Sequence, residues 1–154
     1  MKRHLWIAAV VVVADQLVKA FARSLTRPVT LIPGVIGLKY SENTGMAFSL
    51  FSRYTWLLAL LSVALIAAGW LVMRRYRLGR LSRVAAMLML GGALGNLIDR
   101  AFVGYVVDIF EVLLFRFAIF NVADVALTVG SALLAVTLLF CPKDWSLKNG
   151  VTKD

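Results

Sequence analysis

Two carboxylates and a small set of amides are the residues of this chain best suited to chemistry. Asp124 closes the stretch Phe120-Asn121-Val122-Ala123-Asp124, at the mouth of a run from Val125 to Cys141 that holds no charged residue. Asp108 lies upstream, directly after Gly104-Tyr105-Val106-Val107. A carboxylate beside so lipid-compatible a run is expensive to keep, which makes it a functional candidate. Two carboxylates in one low-dielectric site repel when both ionise, so one holds its proton and the other does not. Such a pair supplies a base to activate water and an acid to protonate a leaving group, the logic of an aspartic protease. Either acid alone reads as a solvated surface group. The two together, with three amides and an arginine at the same level, favour the pair.

Other chemistries are poorly provided for. The single cysteine, Cys141, excludes an internal disulfide, and the single histidine, His4, leaves no nitrogen and sulfur cluster for a metal. No metal and no cofactor are therefore expected. A Ser-His-Asp triad would have to use His4, at the opposite end of the first apolar run from the acids. A serine-lysine dyad would need Lys19 or Lys39 with Ser24, Ser41, Ser49 or Ser52, and no spacing recommends one.

The elements that must position the acids are membrane helices. Of 154 residues, 61% are hydrophobic, against roughly half in a soluble domain. A spanning helix needs about 20 mostly apolar residues, and segments at 5–22, 54–73, 84–99 and 121–141 qualify. The fold expected is an integral membrane all-α four-helix bundle, a single domain over 1–154. It carries a small extracytoplasmic β-rich segment at 23–53 and an interfacial segment at 101–120, with a loop at 74–83 and a tail at 142–154. Val29 to Ile32 and Val35 to Tyr40 are rich in β-branched residues and punctuated by Pro28, Pro33, Gly34 and Gly37, as short strands joined by a turn would be. Six aromatics between Ala101 and Phe120 suggest a stretch lying at the membrane surface.

The net charge of +9 could suggest a nucleic-acid partner, but the cations sit beside apolar runs and so read as topology signals; no nucleic acid is expected. Ten of the 17 cations fall at the N-terminus, between Arg74 and Arg83, or in the tail, which places both termini in the cytoplasm. Met1-Lys2-Arg3-His4 and the following apolar run imitate a cleaved signal peptide, with Ala20-Phe21-Ala22 as a cleavage pattern. Asp15 and Lys19 inside that run argue for a retained helix.

The remaining polar residues then fall into place by depth. Asp15 and Lys19, four apart with the acid first, share a helix face. Asp15 lies about 15 Å beyond Leu5, near mid-membrane. Two readings stay open for the pair: a self-neutralising lock between helices, or direct contact with a substrate. Gly91 and Gly95 form a small-xxx-small face for close helix approach. Asn96 and Arg100 project one turn apart, and Asn43 and Asn121 flank the outer ends of the second and fourth helices. Asn43, Asn96, Arg100, Asp108, Asn121 and Asp124 thus converge on one outer face. A small four-helix proton-coupled transporter is the alternative, but a relay needs acids spread through the depth and only Asp15 is deep. A purely structural subunit would explain the glycines and not the convergence of acids.

Several motifs in order carry a resemblance: Asp15-Gln16 with Lys19; Glu42-Asn43-Thr44-Gly45 followed by Ala47-Phe48-Ser49; Gly92 through Asn96 to Arg100; Gly104 to Asp108; and Phe120 to Asp124. From about Asp15 to Ala126 the chain resembles the bacterial lipoprotein signal peptidases, or signal peptidase II. The resemblance implies a four-helix aspartic endopeptidase of the bacterial cytoplasmic (inner) membrane, with Asp108 and Asp124 as an outward-facing catalytic dyad. Its substrate would be a prolipoprotein carrying a diacylglyceryl cysteine in a Leu-Ala-(Ser/Gly/Ala)-Cys lipobox, cleaved just before that cysteine. Asn43, Gly45, Asn96, Arg100 and Asn121 would line the substrate groove, with Asp15 and Lys19 as a further polar pair. Membrane lipids and a globomycin-type inhibitor are the other implied partners, and a monomer is expected. The substrate's signal helix is expected beside the first, third and fourth helices. Two positions depart from the family pattern: Met46 stands where a small alanine is common, and Val125 where a serine is frequent.

Overall fold

A computed structural model describes residues 4–45 and 54–147. Met46, the Ala47-Phe48-Ser49 part of the second motif, Lys2, Arg3, Lys148 and Lys153 lie outside the described residues. Four helices are long and apolar enough to cross a membrane: α1 (Leu5–Arg23), α2 (Thr55–Arg75), α3 (Arg80–Phe102) and α4 (Val122–Phe140). Their surfaces are inverted relative to a soluble bundle. Leu65 is 63% exposed and Leu139 73%, while Asp15 and Lys19 are fully enclosed. Lipid removes the drive to hide leucine, so close packing and internal hydrogen bonds hold the helices together instead.

Helix α3 is the hub, packed against α1, α2 and α4. Its small residues set the spacing. A Cβ on Gly91 would stand 2.7 Å from Cβ of Val11 on α1, and one on Gly95 would stand 2.6 Å from Oδ2 of Asp15. Both approaches are closer than real carbon atoms tolerate, so α1 can lie where it does only against glycine.

Beyond one end of the bundle lies a three-stranded antiparallel sheet in the order β1 (Val29–Ile32), β2 (Ile36–Asn43), β4 (Val106–Val112). Gly34, at φ 71°, makes the turn between β1 and β2 in a region that other residues avoid. The stretch 101–120 therefore does more than lie along an interface. Its Val106-Val107-Asp108-Ile109-Phe110-Glu111-Val112 run is β-branched enough to form a strand, and β2 offers it a partner edge. Ser41 pairs with Asp108, and Val107 and Ile109 pack with Ala22 of α1 in an apolar cluster that roots the sheet on the bundle.

The far edge of β4 is closed by the backbone of Phe120. Ile109 and Phe110 donate to the Phe120 carbonyl at 3.0 and 2.9 Å, and Phe120 N–H donates to Phe110 O at 3.1 Å. This pins the residue before α4 to the strand that carries Asp108.

At the opposite end, the stretches read as a loop and a tail are joined to each other. Strand β3 (Tyr76–Leu78) pairs antiparallel with β5 (Trp145–Leu147), which follows a 3-10 turn at Pro142–Asp144. The Asp144 carbonyl accepts from Gly79 N at 2.8 Å, and its carboxylate accepts from the Ser82 hydroxyl at 3.2 Å. The tail thus caps the start of α3 with an acid, which the positive end of a helix favours. With Gly79 N and the Ser82 hydroxyl both tied to Asp144, α3 begins at Arg80, one turn earlier than hydropathy alone suggests.

Candidate active site

Asp124 owes its position to helix capping. Asn121 is the N-cap of α4: its side-chain oxygen accepts from Asp124 N at 2.9 Å, and Asp124 Oδ2 accepts from Asn121 N at 3.2 Å. This reciprocal arrangement is a capping box with an acid at the third helical position. The next free amide, Ala123 N, donates to Asp15 Oδ1 of α1 at 2.9 Å, so a second helix completes the cap.

Asp108 reaches the same place from the sheet. It is 2% exposed, and its two oxygens accept from Asn121 Nδ2 at 2.7 Å and from Asn43 Nδ2 at 3.0 Å. Burial pushes its carboxyl up to about 6; Asp124 acts in the same direction, while the amides of Asn43 and Asn121 and the Lys19 charge oppose it. The bulge in β2 between Leu38 and Ser41 shifts the register just before Asn43.

The amides form a continuous chain. Asn96 Nδ2 donates to Asp124 Oδ1 at 2.8 Å, while Asn96 Oδ1 accepts from Asn121 Nδ2 at 3.1 Å and from Lys19 Nζ at 3.0 Å. The ammonium therefore fixes which way the Asn96 amide points. Asn43 Oδ1 accepts from Gly45 N at 3.0 Å, and the Gly45 carbonyl accepts from the Arg100 guanidinium at 3.1 Å. Arg100 Nε is buried without a hydrogen-bond partner among the described residues.

Asn43, Gly45, Asn96, Arg100, Asp108, Asn121 and Asp124 accordingly occupy one site. Asp15 and Lys19 sit behind it and expose no surface. Lys19 Nζ lies 2.8 Å from Asp15 and 3.0 Å from Asp99, and its remaining hydrogen bond goes to Asn96. Asp99 stands at the end of the 84–99 segment and is not among the expected site residues. It also accepts from Val107 N at 3.0 Å, and Gln16 Nε2 donates to Asp15, Asp99 and the Gly95 carbonyl at 3.2 to 3.3 Å. The available signal was spacing, since Asp99 falls three residues after Asn96 on the α3 face that meets α1.

A cavity of about 540 Å³ opens between α2, α3 and α4, with Asn96, Arg100 and Asp124 at one end and apolar walls along its length. The cavity lies beside α2, α3 and α4, whereas a signal helix is expected beside the first, third and fourth helices; α1 is drawn onto the glycine face of α3 by Lys19 and its partners. Asp108 is not among the lining residues.

Two solved structures share this architecture, both described as bacterial membrane enzymes determined in meso, at 2.3 and 1.9 Å resolution. The first superposes with a TM-score of 0.85 and 28% identity over 90% of this chain and 88% of its own; the second with 0.79 and 27% over 92% and 95%. The protein is thus a multi-pass membrane enzyme by fold. A family profile described as signal peptidase (SPase) II matches residues 7–140. The lipoprotein signal peptidase of Latilactobacillus sakei is 35% identical over all of both chains, and that of Pseudomonas aeruginosa 36% identical over 95% of this chain and 93% of its own. The counterpart from Thermosynechococcus vestitus is 40% identical over 81% and 84%. The chain belongs to the signal peptidase II family, aspartic proteases that remove signal peptides from prolipoproteins.

Proposed function

We propose that Asp108 and Asp124 are the catalytic dyad and that the protein cleaves diacylglyceryl-modified prolipoproteins just before the lipidated cysteine. One observation carries the reading: Asn121 hydrogen-bonds both carboxylates, one through its side chain and the other through its backbone. Two acids bridged by one residue and neutralised only by amides can share a proton. In the reaction, the ionised acid takes a proton from water as its oxygen attacks the scissile carbonyl. The protonated acid then donates to the departing nitrogen as the peptide bond breaks.

The burial of Asp108 supports the retention of that shared proton. Arg100, with a buried donor that no described residue uses, supports a role in holding a substrate carbonyl, beside Asn43, Gly45 and Asn96. The acyl chains of the lipidated cysteine remain in the bilayer while the signal helix enters the cavity between α2, α3 and α4. A globomycin-type inhibitor would occupy the same end of that cavity. Asp15 and Lys19 act as positioning residues: their enclosure favours a lock on α1 over substrate contact, and Lys19 orients Asn96 towards Asp124. The cation distribution supports cytoplasmic termini, with the dyad at the outer, periplasmic face of the inner membrane. A monomer contains every residue this reading needs.

Purified protein in liposomes with a diacylglyceryl prolipoprotein tests the proposal. Asp108→Asn and Asp124→Asn should each insert and fold normally yet leave the precursor uncut. Near-normal turnover in either variant would remove that acid from the mechanism. Proton flux through the liposomes, absent cleavage, would favour the transporter reading instead.

A further inference from the structure

The cavity that begins at Asp124 has a far end, and that end is built. Leu78 of β3 and Trp145 of β5 are the residues that line it there. They are directly paired across the two-stranded ribbon although 67 residues apart in sequence. The indole is held on three sides. Its Nε1 donates to Thr137 Oγ1 of α4 at 3.3 Å, its ring meets Tyr76 edge to face at 6.0 Å and 70°, and the preceding Asp144 is bonded to Gly79 and Ser82 at the start of α3. A loop and a tail that served only as connections would need none of these contacts.

We propose that this ribbon, with Trp145 at its inner edge, is the stop of the substrate groove and sets the length of signal helix that the enzyme accepts. The inference rests on the reading of the cavity as the signal-helix groove. The occupant is the apolar helix of the precursor: the walls are leucine-rich, and among the described lining residues the charged groups are Arg100 and Asp124, both at the reactive end. From Asp124 to Thr137, where the indole is tied, α4 advances about 20 Å at 1.5 Å per residue. A helical segment lying along that wall, with its scissile bond at Asp124, therefore offers about 13 residues before it meets the indole. A longer apolar helix must either bend at the stop or lift its scissile bond away from the carboxylates, and displacement of the reacting bond lowers turnover steeply. Trp145 is in this sense a specificity-determining residue, remote from the bond that breaks.

The test compares two diacylglyceryl precursors, one with the parent apolar segment and one lengthened by a single helical turn, each cleaved by the full-length protein in liposomes. The expected result is a kcat/KM ratio of parent to lengthened precursor of about tenfold or more in the wild type, falling towards unity in Trp145→Ala. An equal ratio in the two proteins, or no discrimination by the wild type, overturns the proposal. Because the ratio is taken within each protein, it stands apart from the dyad: an active Asp124→Asn enzyme would refute the catalytic reading without touching the length dependence. Should Trp145→Ala fail to fold, benzoylphenylalanine placed at 145 decides the matter by photocrosslinking in the Asp124→Asn background. Capture of the amino-terminal end of the apolar segment supports the stop. Capture of phospholipid alone, or of the cleavage-site end, overturns it.

Discussion

Two buried polar clusters share helix α3, and they handle charge differently. In the first, between α1 and α3, Lys19 stands between Asp15 and Asp99 within 2.8 and 3.0 Å, and all three are sealed. In the second, where α3 meets α4 and the sheet, Asp108 and Asp124 are met by the amides of Asn43, Asn96 and Asn121, with no cation among the described residues bonded to either. In the first cluster the acids meet a cation directly, an arrangement suited to locking helices together. In the second they meet neutral amide donors, the arrangement that the proposed acid–base chemistry would use. Asn96 joins them, taking Lys19 on its oxygen and giving its N–H to Asp124.

The sharpest way to break the comparison is to neutralise one acid of each cluster. Asp124→Asn or Asp108→Asn should lower cleavage by at least about 10³-fold with insertion and melting unchanged, measured on a reconstituted precursor. Asp99→Asn should act mainly through the amount of folded protein. Equal specific activity losses in both clusters would erase the distinction.

Next in size is Lys19→Met, which leaves two enclosed carboxylates facing each other. A destabilisation of about 3–5 kcal/mol is expected, read by thermal or denaturant unfolding in detergent. Combining it with Asp15→Asn and Asp99→Asn should recover much of that loss, since apolar and neutral groups then replace an unbalanced charge.

Smaller shifts sharpen the second cluster. Asn43→Ala removes a hydrogen bond that favours the Asp108 anion, so its titration should move above about 6. Asp124→Asn removes a repelling charge and should move it below. Carboxyl infrared difference spectra of labelled aspartate read both signs. The sign for stability follows: Asp108 binds its proton more tightly folded than unfolded, so its contribution is fullest below the unfolded value near 3.9 and is lost as pH rises through about 6. Smallest is Lys39→Ala, which removes an exposed 3.4 Å pair with Glu111; a change under about 0.5 kcal/mol is expected.

How far each cluster was legible before folding follows from the distance over which its signal acts. The membrane class and four-helix architecture rest on apolar run length, and the positions of β1 and β2 rest on β-branched residues between prolines and glycines; both are local. The i,i+4 spacing made Asp15 and Lys19 a visible pair, but the Lys19 to Asp99 contact joins different helices, and the spacing of Asp99 from Asn96 marks a shared face without naming the partner. Strand β4 carried a legible valine and isoleucine pattern that its aromatic neighbours obscured. The β3 and β5 strands are three residues each and take meaning only from one another. The cavity beside α2 escaped notice for a related reason: hydropathy ranks helices by length and polarity, while glycine contacts decide which faces are already occupied.

Asp124 is at once a site carboxylate and the third residue of the box that starts α4. Its orientation is therefore a product of helix nucleation, and among the described spanning helices α4 is the last to be synthesised. In chain order α4 follows α1, α2, α3 and the strand that carries Asp108. On the proposed reading, a chain whose α4 has not yet docked on α3 holds one acid in place and lacks its partner, so pairing of the acids is tied to completion of that helix contact.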